Sequence, residues 1–153
     1  MAEIKLLGDT TLQTVINDDA TLADGARAAA DYDNGTELDI WCIPYLEVQW
    51  NTTAPTSGDM VADLYILPGD NNGTPDYPEG GDAGLGTDDT PQAIFKVGAF
   101  ESVNPSLTVN EILALRPILL YPQVNRFVLL NTSGQEFDLT WELRGMMYKV
   151  QSS

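Results

Sequence analysis

Histidine is absent from this 153-residue chain, and cysteine occurs once. The first absence removes the commonest general base and the commonest neutral metal ligand. No Ser-His-Asp triad and no zinc site of Cys/His type can be assembled. With Cys42 alone, no internal disulfide forms; set in the apolar run Ile40-Trp41-Cys42-Ile43, it reads as a buried, inert thiol. Basic residues are scarce as well: 7 Lys and Arg stand against 23 Asp and Glu, a net charge of −16. A basic footprint for nucleic acid is therefore missing, and an anionic membrane surface would repel the chain. No apolar run is long enough to cross a bilayer. No charged segment followed by an apolar one opens the chain, so no secretion signal is expected.

Nucleotide and hydrolase motifs are also lacking. Gly81-Asp82-Ala83-Gly84-Leu85-Gly86 is glycine-rich, but it follows no strand pattern and has no lysine to reach a phosphate. There is no Gly-x-Ser-x-Gly elbow. Carboxylate pairs of the glycosidase kind are available by residue type, yet most acids lie in loops or at outward strand positions. A non-enzymatic protein without a cofactor is expected.

What is present is strand pattern. The chain fits one domain over 1–153, and its 43% hydrophobic content is enough for a core. From Glu37 to Trp50 the even positions Leu38, Ile40, Cys42, Leu46, Val48 and Trp50 are apolar, which places them on one face against a core. Pro44 interrupts this strand, which predicts a bulge or an edge there. The odd positions Trp41, Ile43 and Tyr45 put apolar groups on the opposite face. They form either a contact surface or a face covered by the domain's own loops. Asp59–Leu67 points Met60, Ala62, Leu64 and Ile66 inward and Tyr65 outward. Gln92–Glu101 places Ala93, Phe95, Val97 and Ala99 together. Arg126–Leu130 is apolar on both faces and reads as a central strand. In Leu139–Val150 the apolar set changes from Leu139, Trp141 and Leu143 to Met146, Tyr148 and Val150, so Gly145 reads as a β-bulge. Weaker strands are Glu3–Leu7, Leu12–Ile16, Ala26–Tyr32 and Leu113–Tyr121; Leu22–Tyr32 and 109–115 read equally as short helices. Asp33-Asn34-Gly35 signals a hairpin.

About eight short strands with Gly, Pro and Asn-rich connections predict an all-β, jelly-roll-like antiparallel sandwich. Residues 1–20 form its N-terminal strand or arm. Residues 68–91, rich in Gly and Asp, form a long exposed loop. That loop offers the one metal reading in the sequence, calcium on Asp70, Asn72, Asp76 and Glu79; Pro75 breaks the EF-hand pattern, and the segment reads more simply as solvated. Charge is uneven: residues 1–90 hold 18 acids and 2 bases, residues 91–153 hold 5 of each. The acidic half is a solvated face, or it points outward while the neutral half packs on something. Trp41, Ile43, Tyr45 and Tyr65 are the candidate interface residues; Trp41, Tyr45, Tyr65 and Tyr77 also suit a sugar-binding surface. Four Asn-x-Ser/Thr sites, at Asn34, Asn51, Asn72 and Asn131, read as turn residues.

Several stretches resemble small virion proteins of tailed bacteriophages. They are Ala30-Asp31-Tyr32-Asp33-Asn34-Gly35-Thr36-Glu37-Leu38-Asp39, Val48-Gln49-Trp50 with Pro55-Thr56-Ser57-Gly58-Asp59, and Asp63-Leu64-Tyr65-Ile66-Leu67-Pro68-Gly69-Asp70. Tyr77-Pro78-Glu79-Gly80, Asn131-Thr132-Ser133-Gly134 and Leu143-Arg144-Gly145-Met146-Met147-Tyr148 follow in the same order. The resemblance implies a jelly-roll-like fold and a place on the particle, most simply as a capsid decoration (cement) protein on the exterior of the virion. It implies a homo-oligomer, a trimer by preference, bound to the major capsid protein. No catalytic residues come with it. A tail or neck component and a carbohydrate-binding sandwich module are the other readings.

Overall fold

The computed structural model describes residues 4–8, 12–17, 19–37, 39–69, 91 and 93–152. Among them are ten strands: β1 (Ile4–Gly8), β2 (Gln13–Ile16), β3 (Arg27–Asp33), β4 (Asp39–Val48), β5 (Met60–Gly69), β6 (Lys96–Glu101), β7 (Glu111–Ala114), β8 (Ile118–Leu119), β9 (Val124–Asn131) and β10 (Glu142–Ser152). Every pairing is antiparallel. One sheet runs β1-β10-β4-β7, with β2 also on β10 and β8 also on β4; the other runs β3-β9-β5-β6. β1 and β2 take successive stretches of β10, and β7 and β8 take successive stretches of β4. Counted as two interrupted strands, they leave eight strand tracks in two four-wide sheets. The chain changes sheet at each connection between these tracks except β5 to β6. That order is the jelly roll the sequence predicts.

From Trp41 onward the alternation in β4 is realised on both faces; at its start a register shift against β10 reverses the expectation, with Asp39 buried and Ile40 half-buried. Cys42, Leu46, Val48 and Trp50 are fully buried between the sheets, while Trp41, Ile43 and Tyr45 are half-buried on the outer face. The core continues through Leu64, Phe100, Phe127, Leu129, Trp141, Leu143 and Met147. Phe137 stacks edge-on against both Trp50 and Trp141 and bridges the backbones of Leu22 and Trp50. Asn131 anchors the end of β9: its Nδ2 donates to the carbonyls of Leu22 and Gln135, and its Oδ1 accepts from Ser133. Asn34 likewise binds Asp39 and the Tyr121 carbonyl. Both side chains are buried, which keeps Asn34 and Asn131 from serving as glycosylation sites in the folded chain.

Several expectations are corrected. Asp33-Asn34-Gly35 is not a hairpin: β3 and β4 lie in different sheets, and a single helical turn, Asn34–Glu37, carries the chain across. Of the segments also readable as helix, Leu22–Tyr32 holds all but the last residue of β3 and 109–115 contains β7. Gly145 is not a bulge. It pairs in register with Pro44, and the core face runs unbroken through Leu143, Gly145 and Met147; Met146 and Tyr148 face outward. A Cβ on Gly145 would stand 2.7 Å from Met147 Cε and 2.8 Å from Cys42 Sγ. Glycine is there because the core comes too close for a side chain. Pro44 lies on neither an edge nor a bulge of the β4–β10 pair. Its carbonyl accepts from Leu115 N, and its missing N–H faces the same side, at the break between β7 and β8. Met60 is exposed at the start of β5. Leu139 sits exposed in the turn before β10. Residues 93–95 form a 3-10 turn, so β6 starts at Lys96 and buries Phe100 rather than Ala99.

Candidate functional site

Cross-strand partners in an antiparallel sheet share a face, so the register defines what the six-stranded sheet shows to the outside. One row is Leu119, Trp41 and Tyr148; the next is Ile43 and Met146. Then come Ala114, Tyr45 and Arg144, and finally Ile112, Glu47 and Glu142. The face is thus apolar at one end and charged at the other.

At the apolar end, Trp41, Ile43, Pro117 and Tyr148 line an open groove of about 260 Å³. Leu119, 60% exposed, stands beside Trp41. The Tyr148 hydroxyl donates to Met146 Sδ at 2.9 Å, which fixes the ring along the face. Pro117 belongs to the break between β7 and β8 that Pro44 tolerates, so the groove exists where the edge strand is interrupted. At the charged end, Arg144 Nε donates to Glu142 at 2.6 Å and its Nη2 lies 3.3 Å from Glu47. The hydrogen bond to Glu142 raises the guanidinium above its ordinary range; burial opposes it, and the charges of Glu142 and Glu47 add to the rise. Asn110 donates to Glu47 at 2.9 Å. The one guanidinium is shared by two carboxylates, so the group carries a net charge of −1.

Of the sequence candidates, Trp41, Ile43 and Tyr45 lie together on this face. Tyr65 does not join them. It points outward from the other sheet but is only 5% exposed, packed with Leu67, Val124 and Val128 and flanked by Ala29, Phe95 and Leu130. Burial, and next the Asp63 charge, raise the Tyr65 hydroxyl above its usual range. Asp70, Asn72, Asp76, Glu79 and Tyr77 lie outside the described residues. Among the described residues no three or more Cys, Asp or Glu side chains converge into a metal-binding group. Cys42 is fully buried; burial, and then the Asp39 charge, push its thiol up to about 12, which leaves it unreactive at neutral pH. Sequence reading missed Tyr148, Met146, Pro117, Leu119 and Arg144 as members of the face. The signal for the first two is Leu143-x-Gly145-x-Met147: with the glycine counted as a core residue, the alternation never changes phase.

No protein-family model matches the chain, and no curated protein matches it. Among solved structures, the CBM35 from Cellvibrio japonicus Abf62 aligns over 99% of this chain and 98% of that one, with a TM-score of 0.44 and 11% identity. A likeness at that level says nothing about function; the jelly roll follows from the strand order itself.

Proposed function

We propose that this chain is a structural virion protein of a tailed bacteriophage. The most specific form of the proposal is a capsid decoration (cement) protein that stabilises the shell through protein contacts. The outer face of the six-stranded sheet carries the reading. A groove lined by Trp41, Ile43, Pro117 and Tyr148, with Leu119 beside it, is the kind of surface that protein partners cover. Two further observations support it. The fold is a jelly roll, as the phage-like stretches imply, and the one cysteine is buried and unreactive. In this reading the chain works without a cofactor, with copies of itself and the major capsid protein as partners. The trimer remains the stoichiometry the resemblance favours.

The test is to band tailed-phage particles from lysates of the source organism on a density gradient and look for this chain by mass spectrometry. Co-banding with intact heads at a fixed stoichiometry supports the proposal, and co-banding with detached tails moves it to a tail or neck component. A chain found only in the soluble fraction overturns it.

One observation favours a second reading, a carbohydrate-binding module. Tyr45 and the Arg144–Glu47–Glu142 group share the face with Trp41, so an aromatic platform adjoins donors and acceptors. Against it, those polar groups already satisfy one another, and the groove itself is lined by Ile43 and Pro117 as well as by rings. A glycan array decides: binding lost on Trp41→Ala, with the fold unchanged, would favour the module.

A further inference from the structure

We propose that the groove takes a proline-rich segment of a protein partner, extended as a polyproline II helix and followed by a basic residue. The proposal rests on the protein-contact reading above and names the partner's chemistry at that same surface. Hydrogen-bonding capacity selects the occupant. Trp41, Ile43, Pro117 and Tyr148 give the groove apolar walls. Pro117 has no N–H, and the Tyr148 hydroxyl proton is spent on Met146 Sδ. Beside the groove the edge strand breaks between Ala114 and Ile118, so an incoming strand finds no continuous ladder to extend. A ligand here must bring apolar surface that asks for few hydrogen bonds. Proline rings do so, since each is apolar carbon with no N–H. A polyproline II backbone has no internal hydrogen bonds and keeps its carbonyls in water, so one side of it docks without stranding polar groups. One donor stands ready for such a carbonyl. The Trp41 indole N–H bonds nothing among the described residues and is not buried. Aromatic-lined grooves read proline-rich segments in this way.

Charge places the basic residue. Past Tyr45 the same face ends in the Arg144–Glu47–Glu142 group, with its net charge of −1. Arg116, exposed next to Pro117, disfavours a second base at the groove itself. Along β4 the span from Trp41 to Glu47 is about 20 Å. A polyproline II segment covers that span in about six residues. A lysine or arginine about that far from the docked proline therefore reaches the acidic end.

Calorimetric titration of the whole chain tests this with a synthetic peptide, a run of prolines closed by two arginines. Two control peptides are a glycine-serine run closed by the same arginines and the proline run closed by two glutamates. The expected result is saturable binding of the proline–arginine peptide. The glycine-serine peptide binds at least about tenfold more weakly, and the glutamate peptide about threefold more weakly. Trp41→Ala weakens the proline–arginine peptide at least about tenfold, with an unchanged unfolding midpoint. If Trp41→Ala unfolds, Ile43→Ser is read in the same way. No binding of that peptide at about 1 mM, equal affinity for either control, or an affinity indifferent to the substitution would overturn the proposal. A chain that ignores all three peptides yet co-bands with phage heads sinks the proline-rich partner and leaves the assembly reading standing. Binding that requires Trp41, in a chain absent from particles, does the reverse.

Discussion

Gly145 and Cys42 show how closely single residues are fitted in this core. Gly145→Ala places a methyl group within 3 Å of both Met147 Cε and Cys42 Sγ. Met147 can swing its tip, but the cysteine has no such freedom inside β4. The substitution should cost about 1–3 kcal/mol, read as a lower urea midpoint with an unchanged slope. No loss of stability would mean that the two strands part more easily than their packing implies. Cys42 makes a second prediction. Its folded-state thiol, pushed up to about 12, lies above the ordinary value, so the folded chain holds that proton more tightly than the unfolded one. The contribution to stability is whole at neutral pH and is lost as pH rises from the ordinary thiol range toward 12. A thiol reagent at pH 8 should leave the folded protein unmodified and label it on unfolding; rapid labelling of the folded chain would refute the burial. At this scale the legible residues were those in one-sided alternation. Trp41, Ile43 and Tyr45 could be placed on the outer face because their even-numbered neighbours are all apolar. Tyr65 was placed outward correctly too, but its burial there was not legible, since β5 is apolar on both faces and the cover on its outer side comes from Phe95 and Val128, far away in sequence.

Elements depend on a few polar anchors that no periodicity reveals. Glu111, at the start of β7, accepts from Ser102 Oγ and from the backbone N–H groups of Val103 and Asn104. One carboxylate thus holds the turn after β6 to the edge of the other sheet. Glu111→Ala should speed amide exchange at Val103 and Asn104 and lower stability by about 1 kcal/mol, with the amides of β9 unaffected. Unchanged exchange at the two amides would show that the turn holds itself. Most strands were legible from alternation and turn residues, with ends displaced by a few positions. The split of the edge strand into β7 and β8 was not. Pro44 announced a ladder defect, but a sequence does not say on which side of a strand a missing N–H falls. Only the pairing of β4 with β10 on one side and with β7 and β8 on the other shows the defect at the far edge, where it opens the groove. The same lack of long-range information turned Asp33-Asn34-Gly35 into a supposed hairpin.

At the scale of the whole molecule, an acidic jelly roll presents one sheet face whose charged half ties two carboxylates to one arginine and whose other half is apolar. The sandwich class was legible from the number and spacing of strands, and the jelly roll from the same count and the one long loop. The assembled face was not, because it takes four elements, β4, β8, β10 and the β7–β8 break, to bring Trp41, Leu119, Tyr148 and Pro117 together. The central claim is that this face is buried when the protein is at work, and the tryptophans offer a direct probe of it. Trp50 and Trp141 are already fully buried in the single chain, which leaves Trp41 as the tryptophan a quencher can reach. Acrylamide quenching and light-scattering mass should be measured together across a concentration series. The account predicts that the quenchable fraction falls in step with assembly. Assembly that leaves Trp41 as accessible as in the monomer would place the working contact on another surface and contradict it.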